Sequence, residues 1–206
     1  DTKEDDDTSA TAYDLGDVGS TLWTSDTVTI SGLSLHEAGD EDWFSWHAED
    51  LFLIDNVTEL VVGERAVGVK CVTLADEVLH DHFPDYPTLP GALIIEGASQ
   101  LAGFLLEVTL NRSDQPVRRA LLTQIELAKF HERVGPGDRL EILATINSLR
   151  DPAAQVLIEA NVGEKRAARA MLTFLMQTIS SERLHQQRRD LYRQWTRDLN
   201  LTTPIL

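Results

Sequence analysis

His82 and Glu96 stand fourteen residues apart, and between them the chain reads Phe-Pro-Asp-Tyr-Pro-Thr-Leu-Pro-Gly-Ala-Leu-Ile-Ile. This places one imidazole on a proline-stiffened loop and one carboxyl inside an apolar run. Proline fixes its own φ and pushes the residue before it toward extended backbone, so Pro84, Pro87 and Pro90 exclude helix before Gly91. An apolar setting disfavours the charged form of a carboxyl, which would suit Glu96 to donate a proton. Imidazole exchanges protons near neutral pH. The pair therefore points to general acid and base catalysis. Pro90-Gly91 adds a third element, because backbone N–H groups at a helix start lack intrahelical partners and can hold a developing oxyanion. The structural alternative is that Gln100, one turn after Glu96 on the same face, simply hydrogen-bonds the carboxyl.

The elements that must carry these residues can be read from periodicity. From Gly91 to about Leu110 the residues are mostly apolar, with small Gly97, Ala98, Ala102 and Gly103 among them. A helix apolar nearly all round belongs inside a core or a bilayer. Glu96, Ser99, Gln100 and Glu107 interrupt this one, and no uninterrupted apolar window of about 18 residues exists, so no membrane-spanning helix is expected. Residues 53–60 and 65–74 flank a turn at Gly63-Glu64, a hairpin signal. Further strands are expected at 121–130, 139–149, 155–162 and 166–177, split by Gly135-Pro136-Gly137, Asp151-Pro152 and Gly163-Glu164. One long helix against strands joined by short turns is an α+β arrangement. Residues 181–200 place Leu184, Leu191, Trp195 and Leu199 at helical spacing, predicting an amphipathic helix that packs on the core, with a lid as the alternative. Cys71 alternates with Val67, Val69 and Thr73, which predicts a buried, inert thiol, and a single cysteine excludes an internal disulfide.

His-Phe-Pro-x-x-Pro-x-x-Pro-Gly, followed by an apolar run bearing Glu and then Gln, resembles the 3-hydroxyacyl-acyl-carrier-protein dehydratases of fatty acid synthesis. The resemblance extends from about residue 49 to 178. Phe52-Leu53-Ile54-Asp55 looks like the family's opening strand and 66–73 like its second. Ala128-Lys129-Phe130 and Val134-Gly135-Pro136-Gly137-Asp138 look like the segment that begins the later strands. The resemblance implies a hot-dog fold, a long antiparallel sheet wrapped around one central helix. It implies that His82 is the catalytic base, Glu96 the catalytic acid and Gly91 the residue whose N–H polarises the thioester carbonyl. Phe83, Pro90 and Gln100 are the accompanying candidates for substrate binding. The reaction implied is β-elimination of water from a 3-hydroxyacyl thioester to a trans-2-enoyl thioester, with no metal or redox cofactor. The implied partners are a phosphopantetheine-bearing acyl carrier protein and a second copy of the chain, since the family builds its site across a dimer. A cytoplasmic location is implied as well. Asp85 departs from the family's usual glycine, and Asp tolerates φ > 0 better than most residues. Glu rather than Asp at 96 resembles the plain dehydratases more than those that also isomerise. A hot-dog thioesterase, or a non-catalytic acyl- or carrier-binding subunit, remains the alternative.

Charge divides the chain. Residues 1–50 hold 14 acidic residues against Lys3, a net of −13, while the rest carries −3 of the total −16. Nucleic acid is therefore an unsuitable partner for either part. Arg112, Arg118, Arg119, Lys129 and Arg133 are candidates for a basic patch that receives an acidic carrier, or are simply solvated surface. The expected organisation is an acidic extension at 1–48, a hot-dog domain at 49–180 and a C-terminal helix and tail at 181–206. In the extension, 1–7 is expected to be disordered. Residues 11–17, 28–33 and 40–44 read as short strands and turns, similar to part of a bacterial prepeptidase C-terminal β-sandwich domain. The carboxylates at 40–42 are too few for a Ca²⁺ site and read as a solvated turn. The absence of methionine at Asp1 fits a fragment, a processed product or a trimmed chain. His80 and His82 alternate as metal ligands on extended chain would, with no third ligand evident. His131 and His185 read as surface residues, and His36 and His47 have no discernible partner.

Overall fold

The computed structural model describes residues 27–30, 44–47, 53–83, 85–201 and 205. The chain forms two units, Asp1–Phe52 and Leu53–Leu206. In the first, β1 (Thr27–Ile30) pairs antiparallel with β2 (Phe44–His47), Thr27 lying opposite His47 and Ile30 opposite Phe44. The readings at 1–7, 11–17 and 40–42, and His36, lie outside the described residues.

The second unit contains β3 (Asn56–Val61), β4 (Arg65–Cys71), α1 (Val78–Asp81), α2 (Gly91–Leu110), β5 (Arg118–Phe130), β6 (Arg139–Arg150), β7 (Ala153–Val162), β8 (Lys165–Thr178) and α3 (Glu182–Trp195). Its strands form one antiparallel sheet in the order β3-β4-β6-β7-β8-β5. Glycine allows the tight turns of both hairpins that need positive φ, Gly63 at 82° and Gly163 at 58°. Alternation along β7 turns Ala154, Val156, Ile158 and Ala160 inward. Small side chains recur on this inner face: Ala66 is paired with Ala144, and Ala160 with Ala168, all buried. They leave room for the bulk of α2, whose Ile94, Leu101, Phe104, Leu105 and Leu106 fill the core. Gly97 lets α2 approach the chain before β3, because a Cβ there would lie 3.1 Å from the Leu53 Cβ and 3.2 Å from its carbonyl oxygen. By length and composition α2 could cross a membrane, yet 78% of its most apolar stretch is buried in the fold. It is the core helix.

The structure corrects several expectations. Leu53 and Ile54 are buried but precede the first strand of this sheet, which starts at Asn56, and β4 ends at Cys71 rather than at residue 74. The Asp55 carboxylate ends the pairing by accepting from Cys71 N at 2.6 Å. Cys71 itself is exposed. Its alternation with Val67 and Val69 is present, but Gly68 is the residue facing Leu101 of α2, so the face of Cys71 is the outer one. His80 sits on α1, a helical turn the sequence did not suggest, and not on extended chain; its Nε2 lies 3.3 Å from the Leu74 carbonyl. No group of three or more His, Cys, Asp or Glu suited to a metal is found among the described residues.

The C-terminal helix packs on the core, as its apolar stripe suggested, though it ends at Trp195. Ser181 caps it by accepting from Leu184 N. Leu191, Tyr192 and Trp195 are buried, and the Tyr192 and Trp195 rings meet Phe104 edge-on at 4.8 and 6.1 Å. Such aromatic pairs contribute about 0.5–1.5 kcal/mol each beyond the area they bury.

Candidate active site

The loop carrying His82 is held by its backbone. Thr88 N donates to His82 O at 2.7 Å, and Leu89 N to Val134 O at 2.8 Å. Arg133 adds a bond to Pro87 O at 2.9 Å and lays its guanidinium 4.5 Å from the centre of the Tyr86 ring. His82 is half-buried and stacks on the exposed Phe83, ring centroids 4.3 Å apart. The His82–Phe83 peptide is cis.

Pro90 is the N-cap of α2 and provides no side-chain cap. The first-turn N–H groups therefore meet no side-chain acceptor from the cap residue, the arrangement from which a helix start can bind an anion. Gly91 begins the helix under Phe130, the last residue of β5. A Cβ at position 91 would lie 2.8 Å from that ring, so the close approach requires glycine. Neither the Phe130 contact nor its purpose could be read from sequence, since the two residues are far apart along the chain.

One turn further along α2, the Glu96 carboxylate accepts from Gln100 Nε2 at 3.1 Å, and Ser99 Oγ lies 3.4 Å from its other oxygen. Gln100 is also an acceptor, taking Leu53 N at 3.1 Å, and so ties Glu96 to the chain before β3. The structural reading of Gln100 is thus realised. The expectation of a sequestered Glu96 is corrected within the single chain: its side chain is exposed. No hydrogen bond joins Glu96 to His82 among the described residues.

The buried carboxyl of α2 is instead Glu107, 4% exposed. Arg119 Nη1 donates to its Oε2 at 2.6 Å, Tyr192 OH to the same oxygen at 2.8 Å, and Ala120 N to Oε1 at 3.1 Å. Arg119 further donates to His185 Nδ1 from Nε at 3.2 Å, with Nη2 at 3.0 Å. Two surface readings are therefore overturned, because Arg119 and His185 are 2% and 7% exposed. Burial and the Glu107 charge push the Tyr192 hydroxyl far up, which keeps it a neutral donor. Burial acts to lower the pKa of Arg188, but Tyr192, Glu107 and Glu96 act to raise it and prevail, so its guanidinium is held by the Tyr192 hydroxyl and the charge of the two carboxylates. Of the other basic candidates, Arg118 is paired with Asp151 at 2.5 Å and Arg112 binds the Thr109 and Asn111 carbonyls at the end of α2. Lys129, Arg133 and His131 are exposed.

A long apolar helix gripped by one antiparallel sheet, entered through an uncapped Pro-Gly start after a histidine loop, is the hot-dog arrangement. The chain belongs to the family of FabA-like domains, whose model matches residues 46–171. Among its relatives, the 3-hydroxyacyl-acyl-carrier-protein dehydratase FabZ of Caldanaerobacter subterraneus subsp. tengcongensis is 37% identical over 130 residues, covering 63% of this chain and 90% of that protein. The FabZ dehydratase of Bacillus pumilus is 34% identical over 128 residues, covering 62% of this chain and 87% of that protein. The crystal structure of smu.793 from Streptococcus mutans UA159 bound to acetyl CoA is similar at 16% identity and a TM-score of 0.49, over 61% of this chain and 90% of that one.

Proposed function

We propose that this protein dehydrates 3-hydroxyacyl thioesters carried on acyl carrier protein, forming trans-2-enoyl thioesters in fatty acid synthesis. The observation that carries the reading is 37% identity across nine-tenths of a curated dehydratase. The local arrangement around positions 82, 91 and 96 supports it. His82 removes a proton from C2, which the thioester carbonyl makes acidic. Gly91 N–H stabilises the enolate-like charge that develops on that carbonyl. Glu96 protonates the departing 3-hydroxyl, so that the C2–H and C3–O bonds break, the C2–C3 double bond forms and water leaves. Gln100 orients the Glu96 carboxyl, while Phe83 and Pro90 line the approach of the acyl chain.

An acid exposed to water is poorly placed for this step, so a second copy of the chain is required to cover Glu96. β5 supports such an assembly. It is an edge strand of 13 residues with exposed Ile125, Leu127 and Phe130, a surface that invites pairing with another chain. The acidic residues 1–48 form a separable extension, and Lys129 and Arg133 are the remaining candidates for receiving an acidic carrier.

The test is incubation of the full chain with 3-hydroxyacyl and saturated acyl thioesters on carrier protein. Enoyl product supports the dehydratase, free thiol a thioesterase, and binding without turnover a non-catalytic subunit. His82→Ala and Glu96→Gln are each expected to slow dehydration by about 10²–10⁴-fold while leaving the circular dichroism spectrum unchanged, with a bell-shaped pH dependence in the parent. Near-normal turnover in either variant removes that residue from the mechanism.

A further inference from the structure

The sheet grips α2 from one side, and α3 closes the other. At its start, His185 meets Arg119 of β5, and just past its end Asp198 accepts from Asn56 of β3 at 3.1 Å. β5 and β3 are the two edges of the sheet. The helix and the residues after it thus run from edge to edge across Phe104 and Glu107. This element lies beyond residue 171, where the family match ends.

One end of the strap depends on the protonation state of a buried imidazole. His185 Nε2 lies 2.8 Å from the Ile179 carbonyl, which can only accept, so Nε2 carries a proton. Nδ1 accepts from Arg119. A ring that donates at one nitrogen and accepts at the other is neutral. We propose that α3 is a pH-sensitive strap, latched by neutral His185 and released when Nδ1 takes up a proton. A proton on Nδ1 would point at a guanidinium and remove the acceptor, setting two buried cations against each other.

The surrounding charges leave most of this clash in place. On α2, Glu107 already accepts from Arg119, Tyr192 and Ala120 N. On α3, Glu182 carries a negative charge that acts on both His185 and Arg119, but it is exposed to solvent and paired first with Arg189 at 2.6 Å, so it offsets the clash only in part. From β5 the facing group is Arg119 itself. Protonation therefore turns a charge-assisted hydrogen bond into a repulsion at the place where α3 meets the sheet edge.

Hydrogen exchange of the full chain tests this, following peptides from 181–200 and correcting for the intrinsic pH dependence of exchange. As pH is lowered stepwise from neutral across the acidic range, exchange in α3 is expected to accelerate at least about tenfold where the His185 ring gains its second proton, in line with the loss of a hydrogen bond to a charged group. His185→Gln keeps an acceptor and a donor but cannot titrate, so it is expected to hold α3 protected across that range. Loss of protection over the same pH range in both proteins overturns the proposal. Ring-nitrogen NMR of His185 in the parent decides independently of how well the variant docks. Protonation coinciding with deprotection supports the latch, and a doubly protonated ring beneath a still-protected α3 overturns it.

Discussion

Replacing Arg119 by methionine is the most informative perturbation of this fold. The guanidinium is 2% exposed and the Glu107 carboxylate 5%, and they meet at 2.6 Å. With charge centres roughly 4 Å apart and an effective dielectric constant of about 20, their attraction is about 4 kcal/mol. Methionine retains most of the apolar stem but takes from buried Glu107 its charged hydrogen-bond donor, leaving Tyr192 OH and Ala120 N as neutral donors and the charge of Arg188 acting on it. His185 loses its donor as well. Removal of one partner from such a pair typically costs about 3–5 kcal/mol, whereas replacing both by apolar groups of similar volume is often near neutral. Urea unfolding followed by far-ultraviolet circular dichroism is therefore expected to show Arg119→Met destabilised by about 3–5 kcal/mol. The double variant Glu107→Leu/Arg119→Met is expected to be more stable than that single one. A loss of about 1 kcal/mol or less in Arg119→Met, or a double variant at least as unstable as the two singles combined, would refute the view that an uncompensated buried charge sets the penalty.

Three further outcomes are expected. Gly91→Ala forces its methyl against the Phe130 ring, from a starting separation of 2.8 Å; because Phe130 is half exposed, steady-state kinetics should show a larger loss in kcat than urea melts show in stability, and Phe130→Leu should restore part of the rate. Glu126 is held ionised by hydrogen bonds from Thr173 and then Gln155, which place its carboxyl below the ordinary carboxylate range. That stabilisation is present above the unfolded-state pKa and is lost as pH falls through the depressed one. Thr173→Val should accordingly lower Tm at neutral pH, with the difference shrinking in acid, and a pH-independent difference would exclude the linkage. Deleting residues 1–48 is expected to leave dehydration and the far-ultraviolet signature of the second unit intact, checked by turnover and circular dichroism; loss of both would make the extension part of the enzyme.

Strand and helix positions were legible because their periodicities are local. β5 to β8 fall within a few residues of the expected spans, and the turns coincide with Gly63, Gly163 and the Asp151-Pro152 step. The site was legible as a motif, since three prolines, one glycine and the spacing of His82 and Glu96 lie in one short stretch. Burial was not. The same helix carries Glu96 and Glu107, both flanked by apolar residues, and composition did not tell which of them the single chain buries. Arg119 and His185 looked like surface residues because their partners lie on other elements. Cys71 was assigned to the right strand alternation and the wrong face.

What the sequence determined by itself is the order and kind of the elements and the chemistry available at the start of α2, because each rests on residues within a few positions of one another. Which carboxyl is dry, which histidine is latched and which face of β4 meets the helix were decided by tertiary structure alone. Those properties depend on groups brought together across 12 to 85 positions of chain, as with Arg119 and Tyr192 on Glu107. A side chain's solvent exposure is set by what packs over it, and that is fixed only when the sheet closes around α2 and α3 crosses the open side.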